Sequence, residues 1–124
     1  MRILYFDDTP HWRELYEQAF ENAGFEIKTL PDARGDVIKE VLDFQPDLIL
    51  LDIWMPDVTG FDAIKILKDD KRTKNFPVFF FSSMGDPKSI QKGLGLGAEK
   101  YLVKTDYEPA EVIKICKDFL SPNI

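Results

Sequence analysis

The chain has 124 residues, which suits one domain, and its 44% hydrophobic and 31% charged residues describe a folded globular chain and not a disordered one. Acids outnumber bases 22 to 16, so the formal charge of −6 lacks the basic footprint of a nucleic-acid binder. The lone Cys116 excludes an internal disulfide and a Cys-based zinc cluster, and no apolar run is long enough for a signal peptide or a membrane span, so no membrane partner and a cytoplasmic location are expected.

Short apolar runs alternate with helix-period stretches five times. Ile3 to Phe6 is a continuous apolar run, the mark of a strand buried on both faces. Thr9 then stands as a cap with Pro10 in the first turn, and Trp12, Leu15, Tyr16, Ala19, Phe20 and Ala23 recur on one helical face up to Gly24, placed for a left-handed C-terminal cap. Phe25 to Leu30 alternates apolar and polar residues as a more exposed strand does, and Pro31 to Gly35 is turn-rich. Val37, Ile38, Val41 and Leu42 predict a short helix that stops before Pro46. Leu48 to Leu51 is the third run, and Phe61, Ile64 and Leu67 mark a third helix that runs out in a charged, solvated stretch from Lys68 to Lys74. Val78 to Phe81 is the fourth run. Asp86 and Pro87 open a fourth helix with Ile90 and Leu94 on one face, and Gly93 and Gly95 predict that its end is frayed. Tyr101 to Val103 is the fifth run. A last helix starts near Pro109 with Val112, Ile113, Cys116, Phe119 and Leu120 as its apolar face, Cys116 being read as an inert buried thiol. Five such repeats imply an α/β fold, a parallel sheet covered by helices on both faces, in one domain over residues 1–124.

Ligands in open α/β sheets bind beyond the C-terminal ends of the strands. Asp7 and Asp8 end the first run, Asp52 the third, Ser82 and Ser83 the fourth, and Lys104 the fifth. If the first and third strands are neighbours, three carboxylates converge, and their repulsion should raise one carboxyl pKa. A divalent cation relieves that repulsion, and an oxygen-only donor set favours Mg²⁺, with Mn²⁺ possible, over zinc. Lys104 and the Ser82 hydroxyl are suited to phosphoryl oxygens, so the set is fit to move a phosphoryl group onto a carboxylate.

The stretch Pro46-Asp47-Leu48-Ile49-Leu50-Leu51-Asp52-Ile53-Trp54-Met55-Pro56 followed by Gly60, with Pro77 to Ser82 and Gly97 to Lys104, resembles the receiver domains of response regulators, the CheY-like family. The resemblance covers nearly the whole chain. It implies a flavodoxin-like, doubly wound sheet of order 2-1-3-4-5. It further implies that Asp52 accepts phosphate from a sensor histidine kinase or a phosphotransfer protein. Asp8, Asp52 and the backbone carbonyl of Trp54 would ligate Mg²⁺, with Asp7 acting through a metal-bound water. Ser82 and Tyr101 would be the switch hydroxyl and switch aromatic, and Lys104 would pair with the phosphoryl group. A downstream protein would read the state from the fourth and fifth helices and the fifth strand. Beyond its own phosphorylation and dephosphorylation the chain is not expected to be an enzyme.

Two departures from the family pattern stand out. Thr105 replaces the usual Pro after the lysine, which argues against a cis peptide there, and Ser83 replaces a small Ala. Trp54 and Met84, two residues beyond Asp52 and Ser82, occupy the positions that flank the hydrolytic water in this family. Both are apolar, which predicts slow loss of the phosphoryl group. Gly93, Gly95 and Ala98 match a dinucleotide fingerprint literally, but they precede a strand and do not open a helix. His11, the only histidine, is expected to lie exposed in the first helical turn. The rival reading is a Mg²⁺-dependent phosphohydrolase with an Asp nucleophile, which Asp7-Asp8 fits poorly because such enzymes separate their two acids by one residue.

Overall fold

The computed structural model describes residues 1–122. Five strands alternate with five helices: β1 (Arg2–Phe6), α1 (Pro10–Asn22), β2 (Glu26–Leu30), α2 (Val37–Phe44), β3 (Leu48–Leu51), α3 (Gly60–Asp69), β4 (Val78–Ser82), α4 (Pro87–Gly95), β5 (Lys100–Val103) and α5 (Pro109–Leu120), with a 3-10 turn over Lys104–Asp106. All strand pairs are parallel, in the order β2-β1-β3-β4-β5. The central strands β3 and β4 are buried at every residue, as their unbroken apolar runs predict, whereas β2 lies at the edge and is only partly covered.

Alternation along each strand divides the interior into two cores. Leu4, Phe6, Ile49, Leu51, Val78 and Phe80 face Val37, Val41, Ala63, Ile64 and Leu67 of α2 and α3. Ile3, Tyr5, Leu48, Leu50, Phe79, Phe81 and Leu102 face Tyr16, Phe20, Val112, Ile113 and Cys116 of α1 and α5. Gly24 has φ +90°, the left-handed conformation expected just past α1. Thr9 occupies the N-cap position of α1, but its side chain makes no capping hydrogen bond there. Asp36, Thr59 and Asp86 do cap α2, α3 and α4.

Three expectations require correction. Leu15 is 37% exposed and Leu94 44%, because each lies at the margin of its helix's apolar face and not at its centre. At the end of α4, where fraying is expected, regular helix continues to Gly95. Gly93 sits where a β-carbon would come 2.8 Å from the Phe80 ring and 3.0 Å from Tyr101, so its missing side chain lets α4 approach the sheet. The stretch after α3 is more than a solvated end. The Lys68 ammonium donates to the Lys74 and Phe76 carbonyls, and the buried Thr73 hydroxyl donates to the Leu67 carbonyl, closing the turn onto the helix. In agreement with the reading of Thr105, the chain beyond Lys104 takes a 3-10 turn and no described peptide bond is cis.

Candidate functional site

Register places the acids. Phe6 pairs with Leu51 across β1 and β3, and the Asp52 amide donates to the Phe6 carbonyl at 3.0 Å, so Asp7 and Asp52 leave adjacent strands at the same level. Oxygens of Asp7, Asp8 and Asp52 lie within 4.8 Å of one another. Asp7 and Asp52 are buried, while Asp8 is exposed and leaves the cluster open to solvent. Ser82 and Val103 pair at the end of β4 and β5, which brings Lys104 over the same edge. A cavity of about 310 Å³ opens there, lined by Asp8, Thr9, Trp12, Asp52, Trp54, Ser82, Ser83 and Lys104.

Lys104 is buried and ties the acids together. Its ammonium donates to Asp7 Oδ2 at 2.5 Å and to Asp52 Oδ2 at 3.3 Å. The Trp12 and Phe81 rings lie 5.0 and 5.7 Å from it and help to accommodate the buried charge. Asp52 Oδ1 accepts the Ile53 amide at 2.8 Å. Burial pushes the Asp52 carboxyl up from 3.8 to about 6; Lys104 opposes the rise and the Asp7 charge adds to it. One carboxyl of the cluster is thus raised, as expected, but burial and not repulsion among the acids is the larger cause. Asp7 accepts the Thr9 amide on Oδ1 at 2.9 Å and the Tyr5 hydroxyl on Oδ2 at 2.5 Å. Burial and the Asp7 charge hold the Tyr5 phenol far above its usual range, so it stays a donor.

The loop after β3 is shaped by Gly60. A β-carbon there would fall 2.2 Å from the Asp52 carbonyl oxygen and 2.9 Å from Ile53 Cα, and the Gly60 amide donates to the Ile53 carbonyl at 2.9 Å. On β4, the Ser82 hydroxyl oxygen accepts the Met84 amide at 3.2 Å. The Tyr101 hydroxyl donates to the Met84 carbonyl at 2.6 Å, which links β5 to the loop that leads from the site into α4.

The structure therefore brings together Asp7, Asp8, Asp52, Ser82 and Lys104, with Tyr101 one layer behind. Trp54 lines the cavity and is 63% exposed. Met84 does not line it; its side chain packs against the core on the α2 and α3 side of the sheet. His11 is exposed in the first turn of α1. Sequence reasoning missed Tyr5 and Trp12 as site residues, reading both as core. Tyr5 precedes Asp7 by two positions on a strand, which already puts the two side chains on one face. The donors fit a hard divalent cation: three carboxylates, oxygen only, one of them open to water.

The model of the response regulator receiver domain family matches residues 3–117. The chain is 35% identical over 104 residues to the DNA-binding dual master transcriptional regulator RpaA of Synechocystis sp., covering 83% of this chain and 42% of that protein. It is 28% identical over 114 residues to chemotaxis protein CheY of Thermotoga maritima, covering 91% of this chain and 92% of that one. Thus it spans less than half of the first relative and nearly all of the second. Among solved structures, chemotaxis protein CheY4 of Vibrio cholerae superimposes with a TM-score of 0.83 at 27% identity, over 94% of this chain and 95% of that one. The BeF3-activated receiver domain of Klebsiella pneumoniae RstA shares the fold at a TM-score of 0.88 and 21% identity, over 98% and 99% of the two chains. Family match, strand order and the acids at the strand ends agree: the chain belongs to the response-regulator receiver family of two-component signalling, whose members are phosphoacceptors.

Proposed function

We propose that this chain accepts a phosphoryl group on Asp52 from the phosphohistidine of a sensor histidine kinase or phosphotransfer protein, and that this changes its contacts with a downstream protein. The observation that carries the reading is the convergence of the Asp7, Asp8 and Asp52 oxygens within 4.8 Å, with the buried Lys104 ammonium between Asp7 and Asp52. A carboxylate oxygen of Asp52 forms the new P–O bond while the P–N bond breaks, and the departing imidazole takes up a proton. The Ile53 amide on Oδ1 orients the nucleophile. Lys104 can turn from the acids to a phosphoryl oxygen, and the Ser82 hydroxyl can donate to another. Asp8, Asp52 and the Trp54 carbonyl would hold Mg²⁺ with help from Asp7, and Mg²⁺ would neutralise charge on the acids and the phosphoryl oxygens.

The readout reaches the α4, β5 and α5 face through Ser82 and Tyr101, whose hydroxyl holds the Met84 carbonyl at the entrance to α4. Phosphorylation biases that connection between two arrangements. Among the described residues no helix is long and apolar enough to cross a membrane.

Incubation with acetyl phosphate and Mg²⁺, followed by intact mass, tests the reading. One phosphoryl group should be added to the wild type and none to Asp52→Asn. Multiple turnover of a phosphomonoester, with no stoichiometric label, would instead establish the phosphohydrolase reading.

A further inference from the structure

Tyr5 stands out within the first strand. It is fully buried, with its ring against Phe81 at 6.0 Å and edge-on to Tyr16 at 6.3 Å. Its hydroxyl makes one hydrogen bond, to Asp7 Oδ2, the same oxygen that receives Lys104. Oδ1 of Asp7 receives the Thr9 amide. Both oxygens of Asp7 are therefore held by protein donors, three in all, whereas Asp8 is exposed.

We propose that Tyr5 is a positioning residue that engages Asp7 in competition with the divalent cation and so lowers the affinity of the site for Mg²⁺. The inference rests on the metal reading given above. A hydrogen-bond donor and a cation draw on the same electron density of a carboxylate oxygen, so each weakens the other. The two donors on Oδ2 differ in how they respond. A cation at the acid cluster repels the Lys104 ammonium, which has Asp52 or a phosphoryl oxygen as an alternative partner. The Tyr5 hydroxyl is neutral, buried and without another polar partner among the described residues, so it stays on Asp7. It also keeps Asp7 satisfied when Lys104 moves, and thereby holds the carboxylate at one orientation. The consequence is a site whose occupancy by Mg²⁺ depends on its concentration and is favoured further when a phosphoryl group adds its own oxygens.

Tyr5→Phe removes the hydroxyl and keeps the ring that packs on Phe81 and Tyr16. Mg²⁺ affinity is to be read without any phosphodonor, by the fluorescence of Trp12 and Trp54, which line the cavity, and by melting temperature. The variant should bind Mg²⁺ at least threefold more tightly than the wild type, with a correspondingly larger rise in melting temperature at a fixed Mg²⁺ concentration. In an Asp7→Asn background the same substitution should change the affinity by less than half as much on a logarithmic scale, since the hydroxyl acts through Asp7. An unchanged or weaker affinity in Tyr5→Phe, with the wild type binding Mg²⁺ normally, overturns the role of Tyr5 and leaves the metal reading intact. Equal effects in the two backgrounds overturn it as well, since the hydroxyl would then act without Asp7. If neither protein responds to Mg²⁺ by fluorescence or melting temperature, the metal reading fails and this inference fails with it.

Discussion

Replacing Asp52 by Asn should stabilise the protein, by an amount that grows with pH. Asp52 is 6% exposed, and its carboxyl is raised from 3.8 to about 6 by burial, with Asp7 adding to the effect and Lys104 opposing it. A raised acid pKa means that the native state binds the proton more tightly than the unfolded chain. Stability from this group is therefore full below about pH 4, falls as pH rises towards 6, and is flat above that. A shift of about two units corresponds to roughly 3 kcal/mol, the cost of keeping a buried carboxylate charged. Asn removes the charge and retains the shape, while Lys104 keeps Asp7 as its partner at 2.5 Å. Urea denaturation in EDTA at a series of pH values is the assay. The gain of Asp52→Asn over the wild type should be near zero at pH 4 and approach about 3 kcal/mol by pH 8. Millimolar Mg²⁺ should narrow the gap at pH 8 by stabilising the wild type. An Asn variant less stable than the wild type at pH 8, or a gap of equal size at pH 4 and pH 8, would refute the reasoning.

Gly60→Ala should cost about 2–3 kcal/mol, since its β-carbon meets backbone at 2.2 and 2.9 Å and nothing flexible can give way; a loss under 0.5 kcal/mol, roughly the scatter of surface substitutions, would show that the loop yields. The two glycines of α4 should respond with opposite signs in chemical denaturation. Gly95→Ala meets open space and should stabilise by about 0.5–1 kcal/mol, whereas Gly93→Ala should destabilise by about 1–2 kcal/mol, because overpacking against Phe80 exceeds the gain in helix propensity. Trp54→Asn should shorten the life of the phosphoryl group, followed by intact mass after removal of the donor, because it opens and polarises the cavity mouth. Met84→Glu should act less strongly, since Met84 lies outside that lining. A lifetime unchanged by Trp54→Asn would remove Trp54 from control of hydrolysis.

Much of the architecture was legible in the chain. Short unbroken apolar runs bounded by turn residues read as buried strands, and four of them, with the alternating run Phe25 to Leu30, separated by helix-period stretches leave little besides a parallel, doubly wound sheet. The polar residue ending each run is equally visible, which is why Asp7, Asp8, Asp52, Ser82 and Lys104 could be named as a set. Their convergence required the strand order 2-1-3-4-5, which came from family resemblance and not from periodicity. Gly93 was misread because local propensity penalises glycine in a helix, while its use here is a close approach to the Phe80 and Tyr101 rings on the neighbouring strands β4 and β5. Lys68 was read as solvated because its partners are backbone carbonyls, which no side-chain pattern announces.

The sequence by itself determined the elements, the two-sided burial of the central strands and the acidic character of one sheet edge, because hydrophobic periodicity and strand-end residues are local properties. Only the tertiary structure decided which groups share a hydrogen bond: Lys104 between Asp7 and Asp52, Tyr5 on Asp7, and Tyr101 on the Met84 carbonyl. These partners are up to 97 residues apart, and a hydrogen bond depends on tenths of an ångström set by register and packing, which periodicity does not encode.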